Sequence, residues 1–185
     1  MINIEKFIFV YQNKIGVLND HQRQGLTDLL IMIIGDPNIK DVRWAAYMLA
    51  TVRHECAGTW LPIAEYGKGR GHKYGEPDPV SGCTYYGRGY VQLTWAANYQ
   101  AMGEALGIDL YRNPDLALQP DIAYKIMSRG MRKGSFTGVG FPLYIKDDRC
   151  SYRMCRKIIN GLDCADKIAG YAEEFEGILN ASIAN

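Results

Sequence analysis

Apolar residues recur at helical spacing through most of this chain, and the pattern breaks in one long stretch. Residues 3–13 and 20–34 read as helices, with Asn19-Asp20 as a start signal and Gly35-Asp36-Pro37 as a stop. Between Asp41 and His54, Trp44, Met48 and Val52 recur every four residues, and Ala45, Leu49 and Cys56 fall on the adjacent rows. That spacing predicts a mostly buried helix with Glu55 near its C-terminal end. From Gly67 to Gly89, seven glycines, Pro77, Pro79 and several charges remove any helical period. The segment is predicted to be a long loop, with a short β-hairpin near Thr84–Leu93. A loop of that length inside a compact domain is usually functional or disordered. Helical patterning resumes at 95–106, 119–133 and 149–159, and the last helix, Asp163 to Ala181, carries Ile168, Ala172, Phe175 and Leu179 on one stripe. The whole predicts a mainly α domain with a glycine-rich insertion that carries the polar residues. No internal repeat is present.

The chain has 185 residues, enough for one compact domain with a real core and hardly enough for two. A single domain over 1–185 is therefore expected, with N-terminal helices over 1–40 and the core over 41–181. A net charge of +1 offers no bulk attraction to nucleic acid. Locally, Arg129, Arg132, Lys133, Lys146, Arg149, Arg153, Arg156 and Lys157 face only Asp147 and Asp148, so the segment 129–157 is a candidate for meeting an anionic wall or membrane surface. Five cysteines, an odd number, in a chain whose first residues lack an export signal point to reduced thiols in a cytoplasm.

Metal and phosphate chemistry find little support. His54-Glu55 begins like a zinc-protease helix, but position 58 is Gly58. Cys150, Cys155 and Cys164 lack a paired Cys-x-x-Cys spacing. Gly67-x-Gly69-x-Gly71 has neither a preceding strand nor a following Lys-Ser/Thr pair. No metal and no cofactor is expected.

The residues from Tyr85 to Trp95 (Tyr-Tyr-Gly-Arg-Gly-Tyr-Val-Gln-Leu-Thr-Trp) combine aromatic faces, glycines and fixed polar groups, which suits a sugar-binding cleft. Hydrolysis of a glycosidic bond needs one carboxylic acid to protonate the leaving oxygen and a second carboxylate to activate water or attack the sugar. Glu55 sits at a helix C-terminus, where partial negative charge disfavours a carboxylate, with Trp60 and Leu61 near enough in sequence to exclude water. Glu65 and Glu76, in or beside the glycine-rich stretch, are read as more exposed carboxylates suited to the base.

Together these residues resemble the family 19 glycoside hydrolases, and most closely the short phage-type members that act as endolysins. His54-Glu55-x-Ala57-Gly58 is similar to the family's His-Glu-Thr-x-Gly segment, and Tyr85-Tyr86-Gly87-Arg88-Gly89-x-x-Gln92-Leu93-Thr94 to its Tyr-Tyr-Gly-Arg-Gly-x-x-Gln-Leu-Ser/Thr signature. Asn98-Tyr99, the run from Gly107 to Leu116, Ile158-Ile159-Asn160-Gly161 and Asp166-Lys167-Ile168 follow in the family's order. The resemblance implies a lysozyme-like, two-lobed helical fold with a cleft lined by the glycine-rich loop. It also implies an inverting mechanism in which Glu55 is the acid, a second glutamate activates water, and the Thr94 hydroxyl holds that water. Leu61-Pro62-Ile63-Ala64-Glu65 looks like the phage-type pattern for the base and favours Glu65 over Glu76.

Tyr86, Arg88, Gln92, Asn98 and Asn160 are the expected substrate contacts. Lys167 joins them, standing where larger members carry arginine, whose bidentate geometry a lysine lacks.

The expected activity is that of an endolysin, a monomer cutting the β-1,4 bond between N-acetylmuramic acid and N-acetylglucosamine in peptidoglycan. It would wait in the host cytoplasm until a holin opened the membrane, and it would need no separate wall-binding domain. The alternatives are a chitinase on the same fold and a wall-binding domain without catalysis.

Overall fold

The computed structural model describes residues 2–184. Three helices open the chain: α1 (Ile4–Lys14), α2 (Asp20–Gly35) and α3 (Val42–Glu55). Local chemistry sets their starts. Asn3 accepts a hydrogen bond from the Lys6 N–H at α1, and Asn19 and Gln22 form a reciprocal capping box at α2. At α3 the Asp41 carboxylate accepts from the Arg43 N–H. Every residue of α3 from Ala45 to Val52 is buried, so this helix has no solvent face over its middle two turns.

The C-terminal helix α8 (Ala165–Ala181) packs along α3 and provides its main cover. Phe175 is the keystone of that contact. Its ring stacks on Phe7 at 6.5 Å and on Tyr11 at 6.2 Å, and meets Trp60 edge-on at 5.7 Å. Ile2 and Ile183 form an antiparallel bridge that ties the ends of the described chain together.

The second lobe is built on α4 (Ala96–Leu106) and α5 (Pro120–Lys133), with a 3-10 turn at Pro114–Leu118 between them. The fold is mainly helical, lysozyme-like and two-lobed, with small β insertions. Among the described residues no helix is long and apolar enough to cross a membrane.

Two expectations need correction. The hairpin placed within 84–93 is instead a long-range pair: β1 (Ile63–Ala64) runs antiparallel to β2 (Arg88–Gly89), with Ile63 opposite Gly89 and Ala64 opposite Arg88. A local bridge joins Arg88 to Leu93 only. Gly89 makes the close approach possible. Its φ is +85°, and a Cβ there would lie 2.8 Å from the Ala117 carbonyl oxygen.

The helix expected over 149–159 is also broken. A short helix α6 (Phe141–Tyr144) leads into the hairpin β3 (Ile145–Lys146) and β4 (Arg149–Cys150). Asp147 turns that hairpin at φ +54°, a conformation Asp tolerates better than most residues. Only the four-residue helix α7 (Tyr152–Cys155) and a 3-10 turn (Arg156–Ile158) follow.

The basic segment is thus spread over several elements and presents no single helical face. Arg149 donates to the Pro142 carbonyl, Arg153 pairs with Asp166, and Arg156 is buried.

Truncating Phe175 to Ala removes the ring that α1, α8 and the Trp60 turn share. Its expected cost is about 3–5 kcal/mol, or a melting temperature lower by roughly 6–20 °C for a chain of this size, measured by calorimetry. A shift under about 2 °C would show that this aromatic cluster is not what joins α8 to the core.

Candidate active site

Glu55 is the last residue of α3, so the burial of that helix fixes its position. Past it the chain reverses sharply, with Ala57 and Trp60 both in the left-handed region at φ +49° and +64°. This reversal sends Trp60 into the core against Tyr11 and Phe175, so the indole does not shroud Glu55 as the sequence suggested. What meets Glu55 is an arginine. Nη1 of Arg156 donates to Glu55 Oε1 at 2.6 Å, and Arg156 Nε is anchored on the Asp163 carbonyl at 2.9 Å. The pair is largely dry, with 4% of the arginine side chain and 16% of the glutamate side chain exposed. Burial, the largest influence on His54, holds that imidazole below its usual range, which keeps it neutral beside this pair. Burial also pushes the Cys56 thiol up to about 12. Its Sγ donates to the Gly89 carbonyl at 3.7 Å, so the thiol acts as packing between α3 and β2.

Glu65 reaches the same cleft from the other lobe. It directly follows β1, and the β1–β2 register sets it opposite Gly87: the Glu65 N–H donates to the Gly87 carbonyl at 2.8 Å. In return the Gly87 N–H donates to Glu65 Oε2 at 3.1 Å, and the Tyr74 hydroxyl donates to Oε1 at 3.3 Å. Glu76 lies outside this cleft, exposed on the loop.

The floor between the two carboxylates is the segment 91–95. Gln92, at φ +53°, spends its amide nitrogen on the carbonyls of Ile63 and Gly89, stitching β1 to β2 from below. The Thr94 hydroxyl donates to the Gln92 carbonyl at 2.8 Å, which leaves its lone pairs to accept from a water. Asn98 donates to the Thr94 carbonyl at 2.8 Å and keeps its amide oxygen available. Trp95, at φ +78°, is half exposed and meets Tyr74 edge-on at 5.2 Å. The opposite wall is Phe136, Thr137, Ile159 and Asn160. The cleft measures about 720 Å³, within the range of small-ligand sites.

Of the residues singled out from the sequence, the structure brings together Glu55, Glu65, Thr94, Gln92, Asn98 and Asn160. It leaves Tyr86, Arg88 and Lys167 elsewhere. Lys167 is exposed on α8, its Nζ 5.9 Å from the Tyr171 ring centre. Arg88 is 3% exposed; it donates to the carbonyls of Thr84 and Tyr86 and to the Tyr99 hydroxyl, and pairs with Asp115 at 2.7 Å. The Tyr86 ring lies 3.6 Å from the guanidinium carbon. Tyr86 and Arg88 line a separate groove on the far side of β2.

Sequence reasoning missed Tyr74, Trp95 as a cleft wall, Phe136 and Arg156. Trp95 was visible as the last residue of the aromatic motif. Arg156 gave no local signal, since its partner lies 101 positions earlier.

Comparison with known proteins decides the family. The model of the family 19 glycoside hydrolases, described as chitinase class I, matches residues 30–127, just over half of the chain. The chain belongs to this family. It is 40% identical over 88 residues to an endochitinase of Arabidopsis thaliana, covering 45% of this chain and 30% of that protein. It is 38% identical over 96 residues to inactive chitinase-like protein 1 of Hevea brasiliensis, covering 44% of this chain and 30% of that protein. The chain thus spans under a third of the length of these relatives. The crystal structure of chitinase C from Streptomyces griseus superposes with a TM-score of 0.65 at 26% identity, covering 97% of this chain and 92% of that one.

These matches are to plant and bacterial chitinases, and they overturn the expected place in the phage-type endolysin branch. The muramidase activity, the role in host lysis and peptidoglycan strands as partner fall with it. Most motifs that carried the resemblance, from His54 to Leu116, lie inside the matched region, so they did not separate the two branches. The protein is a family 19 glycoside hydrolase.

Replacing Arg88 by Lys removes the fork that donates to the Thr84 and Tyr86 carbonyls, the Tyr99 hydroxyl and the Asp115 carboxylate. The expected cost is about 2–4 kcal/mol, read from the denaturant midpoint at unchanged slope. Unaltered stability would return Arg88 to the candidates for direct substrate contact.

Proposed function

We propose that this protein hydrolyses β-1,4 bonds between N-acetylglucosamine units of chitin-type polymers with inversion at the anomeric carbon. The observation that carries the reading is that one cleft holds two carboxylates with unlike partners, Glu55 on a buried guanidinium and Glu65 on a peptide N–H and a phenol. The curated relatives named endochitinases and the solved chitinase C support the substrate class. A net charge near zero suits an uncharged glycan.

In this reading Glu55 gives its proton to the leaving glycosidic oxygen. Arg156 occupies Oε1 and so leaves Oε2 to carry the proton. As the proton departs, negative charge grows on Glu55 against a fixed guanidinium, and an ion–neutral hydrogen bond becomes a full ion pair. The interaction is stronger in the transition state than in the ground state, which is the condition for lowering the barrier. Glu65 takes a proton from water on the other face of the sugar. Thr94 accepts from that water, its own proton being committed to the Gln92 carbonyl. Asn98 and Asn160 offer amide groups to the acetamido and hydroxyl groups of the bound sugars, and Trp95 offers a ring face for stacking.

A second reading, a chitin-binding member without catalysis, is favoured by the similarity to the inactive Hevea protein. Chromatography of chitohexaose digests separates the two. The wild type is expected to release shorter oligomers, with the α-anomer first by proton NMR. Glu55→Gln is expected to release none, Glu65→Gln to be slower by at least about 100-fold, and Glu76→Gln to behave as wild type. Retained binding with no product from the wild type would favour the second reading, and a β-anomer product would overturn inversion. Thr94→Ala is expected to lower kcat by roughly tenfold, the loss of one hydrogen bond; a wild-type rate would remove Thr94 from the site.

A further inference from the structure

The glycine-rich stretch that the sequence marked as functional contributes little directly to the chemistry above, yet its geometry is closely specified. Gly69 and Gly75 touch backbone to backbone: a Cβ on Gly75 would lie far inside contact distance of the Gly69 carbonyl, and one on Gly69 would meet the Gly75 Cα at 2.6 Å. This pinch closes the loop on itself and leaves Tyr74 at its inner edge. The Tyr74 carbonyl accepts from the Tyr85 N–H at 2.9 Å, which fastens the loop to the segment leading into Gly87. The Tyr74 ring is then held from both sides, stacked on His72 at 4.9 Å and 7° and met edge-on by Trp95 at 5.2 Å and 80°. Held this way, its hydroxyl points at Glu65 Oε1.

We propose that Tyr74 is the positioning residue of Glu65, its hydroxyl fixing the carboxylate rotamer from which water is deprotonated and its ring tying that carboxylate to the sugar-facing wall at Trp95. The inference rests on the catalytic reading above.

Gly87 can hold only one carboxylate oxygen, and a carboxylate held at one oxygen still rotates. The second donor removes that freedom. At 3.3 Å the contact is longer than the 2.7–2.8 Å typical of O–H···O bonds, a length from which catalytic contacts tighten when substrate fills the site. A sugar pressed against Trp95 would push on the Tyr74 ring and so on this hydrogen bond. The phenol can only donate to the carboxylate while protonated. Partial burial and then the Glu65 charge raise it above the usual tyrosine value, so it stays a donor through the neutral range.

The test is a double-mutant cycle on chitohexaose hydrolysis. Tyr74→Phe keeps the ring and both aromatic contacts, and is expected to lower kcat by about tenfold, one lost hydrogen bond, with KM within about twofold of wild type. In the Glu65→Gln background the same change is expected to cost less than about twofold, because its effect runs through Glu65. Equal losses in both backgrounds, a wild-type kcat, or a loss confined to KM would each overturn the proposal. A readout independent of turnover is the carbon-13 NMR titration of the Tyr74 ring, assigned by its absence from Tyr74→Phe. Glu65→Gln is expected to let this phenol ionise at lower pH than in the wild type. An unchanged midpoint would overturn the contact itself. If the wild type releases nothing from chitohexaose, the proposed activity fails, and the titration still decides whether Tyr74 holds Glu65.

Discussion

The burial of α3 on all sides is the constraint from which the rest of this structure follows. A helix with no solvent face must be enclosed, and α8 together with the Phe141 and Tyr152 rings against Tyr47 supplies much of the enclosure. Because it is enclosed, it cannot slide or roll, and the residue at its end inherits that rigidity. Glu55 is thereby held to a fixed place without being itself part of the core. Arg156 completes the arrangement. Its own short turn lies directly after α7, one of the elements that pack on α8, so the arginine and its carboxylate are positioned by the same packing.

The other carboxylate depends on a much smaller device. Two paired residues on each side, β1 against β2, are enough to deliver Glu65 because the chain direction and register are pinned at Gly89 and stitched from below by Gln92. The left-handed backbone at Gln92 and Trp95 marks where this floor is forced into shape, and it brackets Thr94. Strain of that kind persists only where surrounding contacts over-determine it; here the Thr94, Asn98 and Gln92 hydrogen bonds do so.

Much of this was legible in the sequence, and the failures have specific causes. Helices α1 to α5 and α8 declared themselves because their apolar stripes extend over at least three turns, and Asn19-Asp20 marked where α2 begins. The segment 149–159 misled because its basic residues fall at helical spacing although a hairpin and two short turns house them. Arg88 was read as a substrate contact and Arg156 as part of a basic surface, whereas both are buried among partners that include groups distant in sequence, which no local pattern reports. Glu55, Glu65, Thr94 and Asn98 stood out because motif and chemistry agreed. The branch was misassigned because most of the motifs read from the sequence lie in the segment that the chitinase model also matches.

The two carboxylates belong to regions of unequal cooperativity. Glu55 ends a helix buried through its middle turns and pairs with the buried Arg156, whereas Glu65 depends on a two-residue ladder and a pinched loop with few buried apolar groups. Local opening of the 66–84 loop therefore releases one half of the machinery while the other stays assembled. Under the proposed activity on a polymer, this separates durability from adaptability. Changes in the loop would then act on the cleft wall at Tyr74 and leave the Glu55–Arg156 pair in place.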